Sequence, residues 1–311
     1  MSHLPLSMPA AASGNPGAAG RRPAVVLRDL TMTFPGTRGG PPVRVLDRIS
    51  LTVDEGEFVC LVGPSGCGKS TVLNILGGFL QATSGEAIVE GEPVRGPDPR
   101  RIFVFQENAV FPWLTVERNI GFGLLHRTRA EREQIIAHYV EMVGLAGFEK
   151  TYPRELSGGM RQRVELARAL AANPEVLYMD EPFGALDYFT RFKMRADLIR
   201  IWQQERKTIL FVTHDIDEAV QLADRVIVFG PRPATVKAVF PVPLPRPRSL
   251  SDLVYLDTRD RILAAIGLGL QNDASAPAAA VDHGSPPGAQ LSPHPAGDDR
   301  VRSRQSTPGA H

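Results

Sequence analysis

Gly63-Pro64-Ser65-Gly66-Cys67-Gly68-Lys69-Ser70-Thr71 decides the fold class. The stretch matches the phosphate-binding P-loop pattern in full, between the apolar run 58–62 and a segment with helical character. Glycines let backbone N–H groups curl around phosphates, and the following helix adds the partial positive charge of its N-terminus. In that arrangement Lys69 reaches the β- and γ-phosphates of ATP, and Ser70 places its hydroxyl on Mg²⁺. Cys67 fills a variable position of the loop and reads as a spacer. The bland alternative is a glycine-rich turn that only joins strand to helix; complete pattern and matching context argue against it.

Outward from the loop, further apolar runs at 176–179, 209–212 and 226–229 read as buried strands. Their apolarity is near-continuous rather than alternating, which suits a mostly parallel sheet covered on both faces. Between the first two runs lie helical signals. Thr128 followed by Glu131 forms a possible capping box, opening a helix whose apolar stripe is Ile135, Ile136, Tyr139, Val140 and Val143. A second helix starts at Ser157 and is stopped by Asn173-Pro174. The expectation is an α/β core with a mostly helical insertion over about 95–172.

Two more motifs bear on chemistry. Val176-Leu177-Tyr178-Met179-Asp180-Glu181 is an apolar strand ending in two acids. Asp180 can hold Mg²⁺ and Glu181, one residue on, can take a proton from an attacking water. Many strands end in an acidic turn, so the catalytic reading leans on the P-loop upstream. Leu156-Ser157-Gly158-Gly159-Met160-Arg161-Gln162 puts a serine and two glycines at a helix start. It reads either as a plain N-cap or as a second anion-binding helix terminus. One side of a nucleotide is already surrounded by the P-loop, so this second terminus would close over the ATP of a partner subunit.

Composition excludes several classes. The chain of 311 residues carries 35 basic and 34 acidic side chains, a net charge of +1, so no basic footprint points to nucleic acid. Its two cysteines, Cys60 and Cys67, give no disulfide framework and suit a reducing compartment. No apolar stretch approaches the roughly 20 residues of a spanning helix. Residues 1–22 are expected to be a disordered leader, 23–270 the ordered domain, and the proline-rich stretch 271–311 a disordered tail.

Lys69, Gln106, Leu156-Ser157-Gly158-Gly159, Asp180-Glu181, Ala185-Leu186-Asp187 and His214 together resemble the ABC-type ATPases, in order and in approximate spacing, over about residues 25–250. The resemblance implies a P-loop NTPase core with a mostly parallel sheet, an N-terminal antiparallel β portion and a helical subdomain. It implies a head-to-tail dimer, two ATPs each held between one subunit's P-loop (Gly63, Pro64, Ser65, Gly66, Cys67, Gly68, Lys69, Ser70, Thr71) and the other's signature (Ser157, Gly158, Gly159, Met160). By the same resemblance Gln106 contacts Mg²⁺ and the attacking water and senses the membrane subunit. His214 contacts the γ-phosphate, Asp187 lies across the dimer interface, and Phe34 stacks on adenine. Read alone, Gln106 is an ordinary polar residue after a strand, His214 a capping histidine and Phe34 a core aromatic.

One cassette, no heptad run and no zinc-ligand spacing favour transport over the family's DNA-repair and translation members, which stay as the alternative: a soluble mechanoenzyme. Phe111-Pro112-Trp113-Leu114-Thr115-Val116, Gly159-Met160-Arg161-Gln162-Arg163 and Met179 through Asp187 resemble the importer ATPases for nitrate, sulfonate and taurine. Gly77-Gly78-Phe79 and Tyr188 depart from the common pattern. The expected setting is a peripheral subunit on the cytoplasmic face of the inner membrane. Its partners would be a second ATPase subunit (a homodimer), two transmembrane permease subunits and, through them, a solute-binding protein. The aromatic cluster at 111–113 would form a groove for a short permease helix, or pack the helical insertion.

Overall fold

The computed structural model describes residues 22–36, 39–106 and 109–268. The expectations for the leader, Arg22 aside, and for the tail from 271 fall outside the described residues. Strand β3 (Phe58–Val62) is buried along its whole length, as are β8 (Thr208–Val212) and all of β9 (Arg225–Phe229) but its first residue. Together with β7 (Val176–Asp180), β6 (Arg101–Val104) and the edge strand β10 (Val236–Pro241) they form a six-stranded sheet, ordered β10-β9-β3-β8-β7-β6. Every pairing in it is parallel except β10 with β9.

Period-two side-chain placement explains why these runs lack alternation. Phe58, Cys60 and Val62 join one hydrophobic core, while Val59 and Leu61 join another on the opposite face. The second core is closed by helix α1 (Lys69–Leu76) and by a four-stranded antiparallel sheet, ordered β2-β1-β4-β5. That sheet comprises β1 (Pro23–Phe34), β2 (Val43–Asp54), β4 (Ser84–Val89) and β5 (Glu92–Pro93).

The helical portion opens later than about residue 95. Residues 101–104 are instead β6, an edge strand held by parallel pairing with β7, and the first helix is α2 (Val116–Ile120). A four-residue run carries too little periodicity to announce a strand, and its partner lies some 75 residues away in sequence. Helix α3 (Arg129–Met142) begins with the Thr128–Glu131 capping box, both reciprocal bonds formed. Helix α4 (Gly158–Ala171) starts one residue after Ser157, whose hydroxyl accepts the Met160 N–H at 3.3 Å. Helices α5 (Tyr188–Glu205), α6 (Ile216–Leu222) and α7 (Leu253–Ile266) complete the α-helices among the described residues.

Candidate functional site: a phosphate-loop cleft

The carboxyl ends of β3, β7, β8 and β9 meet at one edge of the parallel sheet, where open α/β sheets place their ligands. There the P-loop leaves β3 and turns into α1 at Gly68, the helix N-cap, with φ of 117°. A Cβ at Gly68 would stand 2.7 Å from Leu46 Cδ2 and 2.8 Å from Val45 Cγ1. Only glycine accepts both that dihedral and that approach. Lys69 is almost wholly buried, and its ammonium donates to the carbonyls of Gly63 at 2.9 Å and Pro64 at 3.1 Å. The loop borders a cleft of about 700 Å³ whose lining includes Phe34, Ser70, Glu181, His214 and Arg232. Phe34, the last residue of β1, is half-buried and supplies the one phenyl ring among the described residues of the cleft lining.

Strand register brings the acids and the histidine together. Asp180 pairs with Val212, so the residues just beyond β7 and β8 emerge side by side. His214 Nδ1 lies 3.0 Å from Glu181 Oε2. Glu181 occupies a left-handed conformation, φ 47°, and its N–H donates to Val212 O at 2.9 Å. A non-glycine residue in that region costs on the order of 1 kcal/mol, a strain that concentrates at functional sites. Burial raises the Asp180 carboxyl above the usual range, and the Ser70 hydroxyl and Lys69 ammonium only partly oppose this.

That donor set suits Mg²⁺. Among the described residues no three His, Cys, Asp or Glu gather as a ready-made metal cage. Mg²⁺ rarely uses such a cage; it takes one or two protein oxygens and completes its shell with phosphate and water. A hydroxyl beside a carboxylate whose ionised form burial disfavours provides that pair of oxygens.

Other sequence-flagged residues stand elsewhere. Gln106 is exposed after β6 and outside the cleft lining; a Cβ at Gly184 would stand 3.4 Å from its Nε2. Asp187 caps α5, accepting the Thr190 N–H at 3.1 Å. Ser157, Gly159 and Met160 border a separate hollow of about 220 Å³ with Thr190 and Lys193. Gly159 is needed there, since a Cβ would come within 2.6 Å of Thr190 Cγ2. Within one chain, then, the serine-glycine turn and the P-loop do not share a pocket. Phe111 packs against Phe122 and Trp113, ring centroids 4.4 and 5.5 Å apart, and with Phe122 and Trp113 both exposed the aromatic cluster lies at the surface.

Three functional candidates escaped the sequence reading. Arg232 lines the cleft and donates to Gly66 O; its signal was a Gly-Pro-Arg-Pro turn directly after β9. Glu165 and Arg168 of α4 bind the backbone of Phe105 and Ala109. Glu165, fully buried, accepts from Phe105 N at 3.4 Å and Ala109 N at 3.3 Å, and Arg168 donates to Ala109 O at 2.7 Å. Burial lifts the Glu165 carboxyl to about 7, against the opposing pull of Arg168. The signal was an acid three residues after Gln162 and four before Ala169, on the buried face of the helix.

Comparison with known proteins agrees with this geometry. A family profile described as ABC transporter matches residues 46–184. The aliphatic sulfonates import ATP-binding protein of Bacillus cereus is 44% identical over 227 residues, 73% of this chain and 90% of that one. The nitrate import ATP-binding protein of Synechococcus elongatus is also 44% identical over 227 residues, 71% of this chain and 82% of its own length. Among solved structures, the dimeric post-hydrolysis state of an ATP-binding cassette bound to ADP and Pi superposes with a TM-score of 0.60. It is 33% identical, covering 70% of this chain and 98% of that one.

Proposed function

Because the chain belongs to the family of ABC transporter ATP-binding proteins, an ATPase family, we propose that it powers import of a small oxyanionic solute of the sulfonate or nitrate class. The observation that carries the ATPase chemistry is the meeting of Lys69, Ser70, Glu181 and His214 on one cleft. The importer class is supported by the sulfonate and nitrate import relatives and by Met160 within the signature.

Each residue has a task on this reading. Backbone N–H groups of 65–69 and the α1 N-terminus bind the phosphates, and Lys69 neutralises the β- and γ-oxygens. Phe34 stacks on adenine. Glu181, held by His214, accepts the proton of the attacking water, and His214 contacts the γ-phosphate beside it. Ser70 and Asp180 would hold Mg²⁺, which would supply charge neutralisation on the phosphate oxygens. Ser157 of a second copy caps the same nucleotide, with Asp187 at the seam between copies, and Gln106 reports closure to the permease. Closure of the dimer follows from tighter ATP binding by the closed state.

Among the described residues no helix is long and apolar enough to cross a membrane. Permease subunits would therefore hold the chain at the cytoplasmic face, with exposed Trp113 offered to one of their short helices. The test is to purify the chain with its native partners and reconstitute them in vesicles with the cognate solute-binding protein. Membrane subunits should co-purify, and ATP should drive uptake of a sulfonate, taurine or nitrate. Co-purification of ribosomes or DNA-repair factors instead, with no membrane subunit, would overturn the transport reading in favour of a soluble mechanoenzyme.

A further inference from the structure

His214 lies between two residues that are held from behind. Thr213 on one side gives its hydroxyl proton to Glu218 Oε2 at 2.5 Å and accepts the Asp215 N–H at 3.0 Å. Asp215 on the other side caps α6, taking the Glu218 N–H at 3.0 Å. Both acids are then bound by α5: Arg195 donates to Glu218 Oε1 at 3.1 Å and also to Asp215 Oδ2. Glu218, Thr213 and Arg195 are all buried, so this set is shielded from water and keeps much of its strength.

One turn earlier on α5, Arg191 extends the set to a second loop. Its Nη1 faces Asp215 Oδ2 at 3.8 Å, while Nη2 donates to Leu186 O at 3.1 Å and Gly184 O at 3.5 Å. Those carbonyls belong to the turn between Glu181 and Asp187. The buried Nε of Arg191 finds no acceptor among the described residues. A guanidinium with fixed fork geometry and a donor to spare is suited to exchange partners when the turn shifts.

We infer that Arg191 is a positioning residue that ties the Gly184–Asp187 turn to Asp215 and thereby sets where His214 stands against Glu181. The inference rests on the hydrolytic reading of Glu181 and His214. It adds a route by which displacement of the Asp187 turn, as by a second copy, alters the histidine without touching nucleotide. Arg191 is not among the residues that line the cleft. Loss of its charge therefore leaves nucleotide affinity alone and slows the chemical step.

The full chain is compared with Arg191→Met, Arg191→Lys, His214→Gln and the Arg191→Met/His214→Gln pair, each first checked for an unchanged melting temperature. Arg191→Met should lower kcat at least about tenfold with KM for ATP within about twofold, and Arg191→Lys should restore most of the rate. In the pair, Arg191→Met should add no further loss, since residues acting through one group are not additive. The side-chain NMR signal of His214, assigned by its absence in His214→Gln, should move in Arg191→Met and return in Arg191→Lys. Additive losses with an unmoved His214 signal overturn the inference, as does a raised KM with kcat intact. The NMR measurement needs no turnover, so a chain that failed to hydrolyse ATP would sink the hydrolytic reading while the placement of His214 was still decided.

Discussion

The P-loop cleft and the serine-glycine turn are two helix starts, both aimed at phosphate on the proposed function and built to different degrees of completeness. The cleft, of about 700 Å³, gathers Lys69, Ser70, Glu181 and His214 in one chain, which on the proposed reading supplies grip, base and base-orienting histidine together. The turn is a hollow of about 220 Å³, with Ser157 spending its hydroxyl on a 3.3 Å cap bond and Lys193 and Arg163 as neighbouring cations. It offers N–H groups and positive charge but no base and no lysine-wrapped loop. A site of the first kind can bind alone; one of the second kind has a task only when something anionic is brought to it. The two regions thus predict opposite responses to substitution, and that opposition is what experiment can break.

The largest effect belongs to the cleft. Glu181→Gln removes the proton acceptor but keeps the shape and the His214 contact. Turnover should fall by about 10²–10⁴-fold, the range for losing a general base, while ATP affinity measured by fluorescence titration stays within about twofold. Unchanged hydrolysis would take Glu181 out of the role.

Next comes the turn. Ser157→Arg fills the hollow with bulk while leaving the P-loop of its own chain intact. Hydrolysis should drop by at least about tenfold, and the isolated chain should bind ATP as before. Equal weakening of binding would mean that the turn and the cleft are one site within a chain, and the contrast would be lost.

How legible each region was follows from how local its signal is. The P-loop, its flanking strand and helix, the Asp180-Glu181 strand end and the Thr128 capping box are short-range patterns, and the structure places all of them as expected. Ser157 was readable as an N-cap for the same reason. Strand β6 was absorbed into the helical stretch because four residues carry no period and pairing with β7 is a tertiary fact. Glu165, Arg191 and Arg195 were missed because a charged residue on a helix reads as solvated until burial and partners are seen. Arg195 is 8% exposed and Glu165 fully buried. Gln106 was singled out by motif, but its placement beside Gly184 rather than on the cleft is not a matter of spacing.

A smaller effect tests the base-facing wall of the cleft. Phe34→Ala removes the ring expected to stack on adenine, an interaction worth about 1–3 kcal/mol for a base on an aromatic. ATP affinity should weaken by roughly tenfold and kcat should hardly change. Inorganic triphosphate, which has no base, should bind the variant and the parent equally. A parallel loss for triphosphate would show that Phe34 supports the loop rather than the base.

The subtlest effect concerns the helix that carries the serine-glycine turn, on which Glu165 holds the backbone of Phe105 and Ala109. Its carboxyl keeps a proton to about pH 7 in the folded chain, for reasons of burial, with Arg168 pulling the other way. Unfolded, the same group loses its proton near pH 4.5. Between those values folding takes up a proton, so the contribution of Glu165 to stability is complete below about pH 4.5 and falls as pH rises to 7. Glu165→Gln has no such proton to lose and still offers an oxygen to Phe105 N or Ala109 N. The melting temperature of Glu165→Gln relative to the parent should therefore rise by a few degrees from pH 5 to pH 7.5. A difference that stays flat, or runs the other way, would place the carboxylate in its charged form throughout, with Arg168 and the two N–H groups outweighing burial.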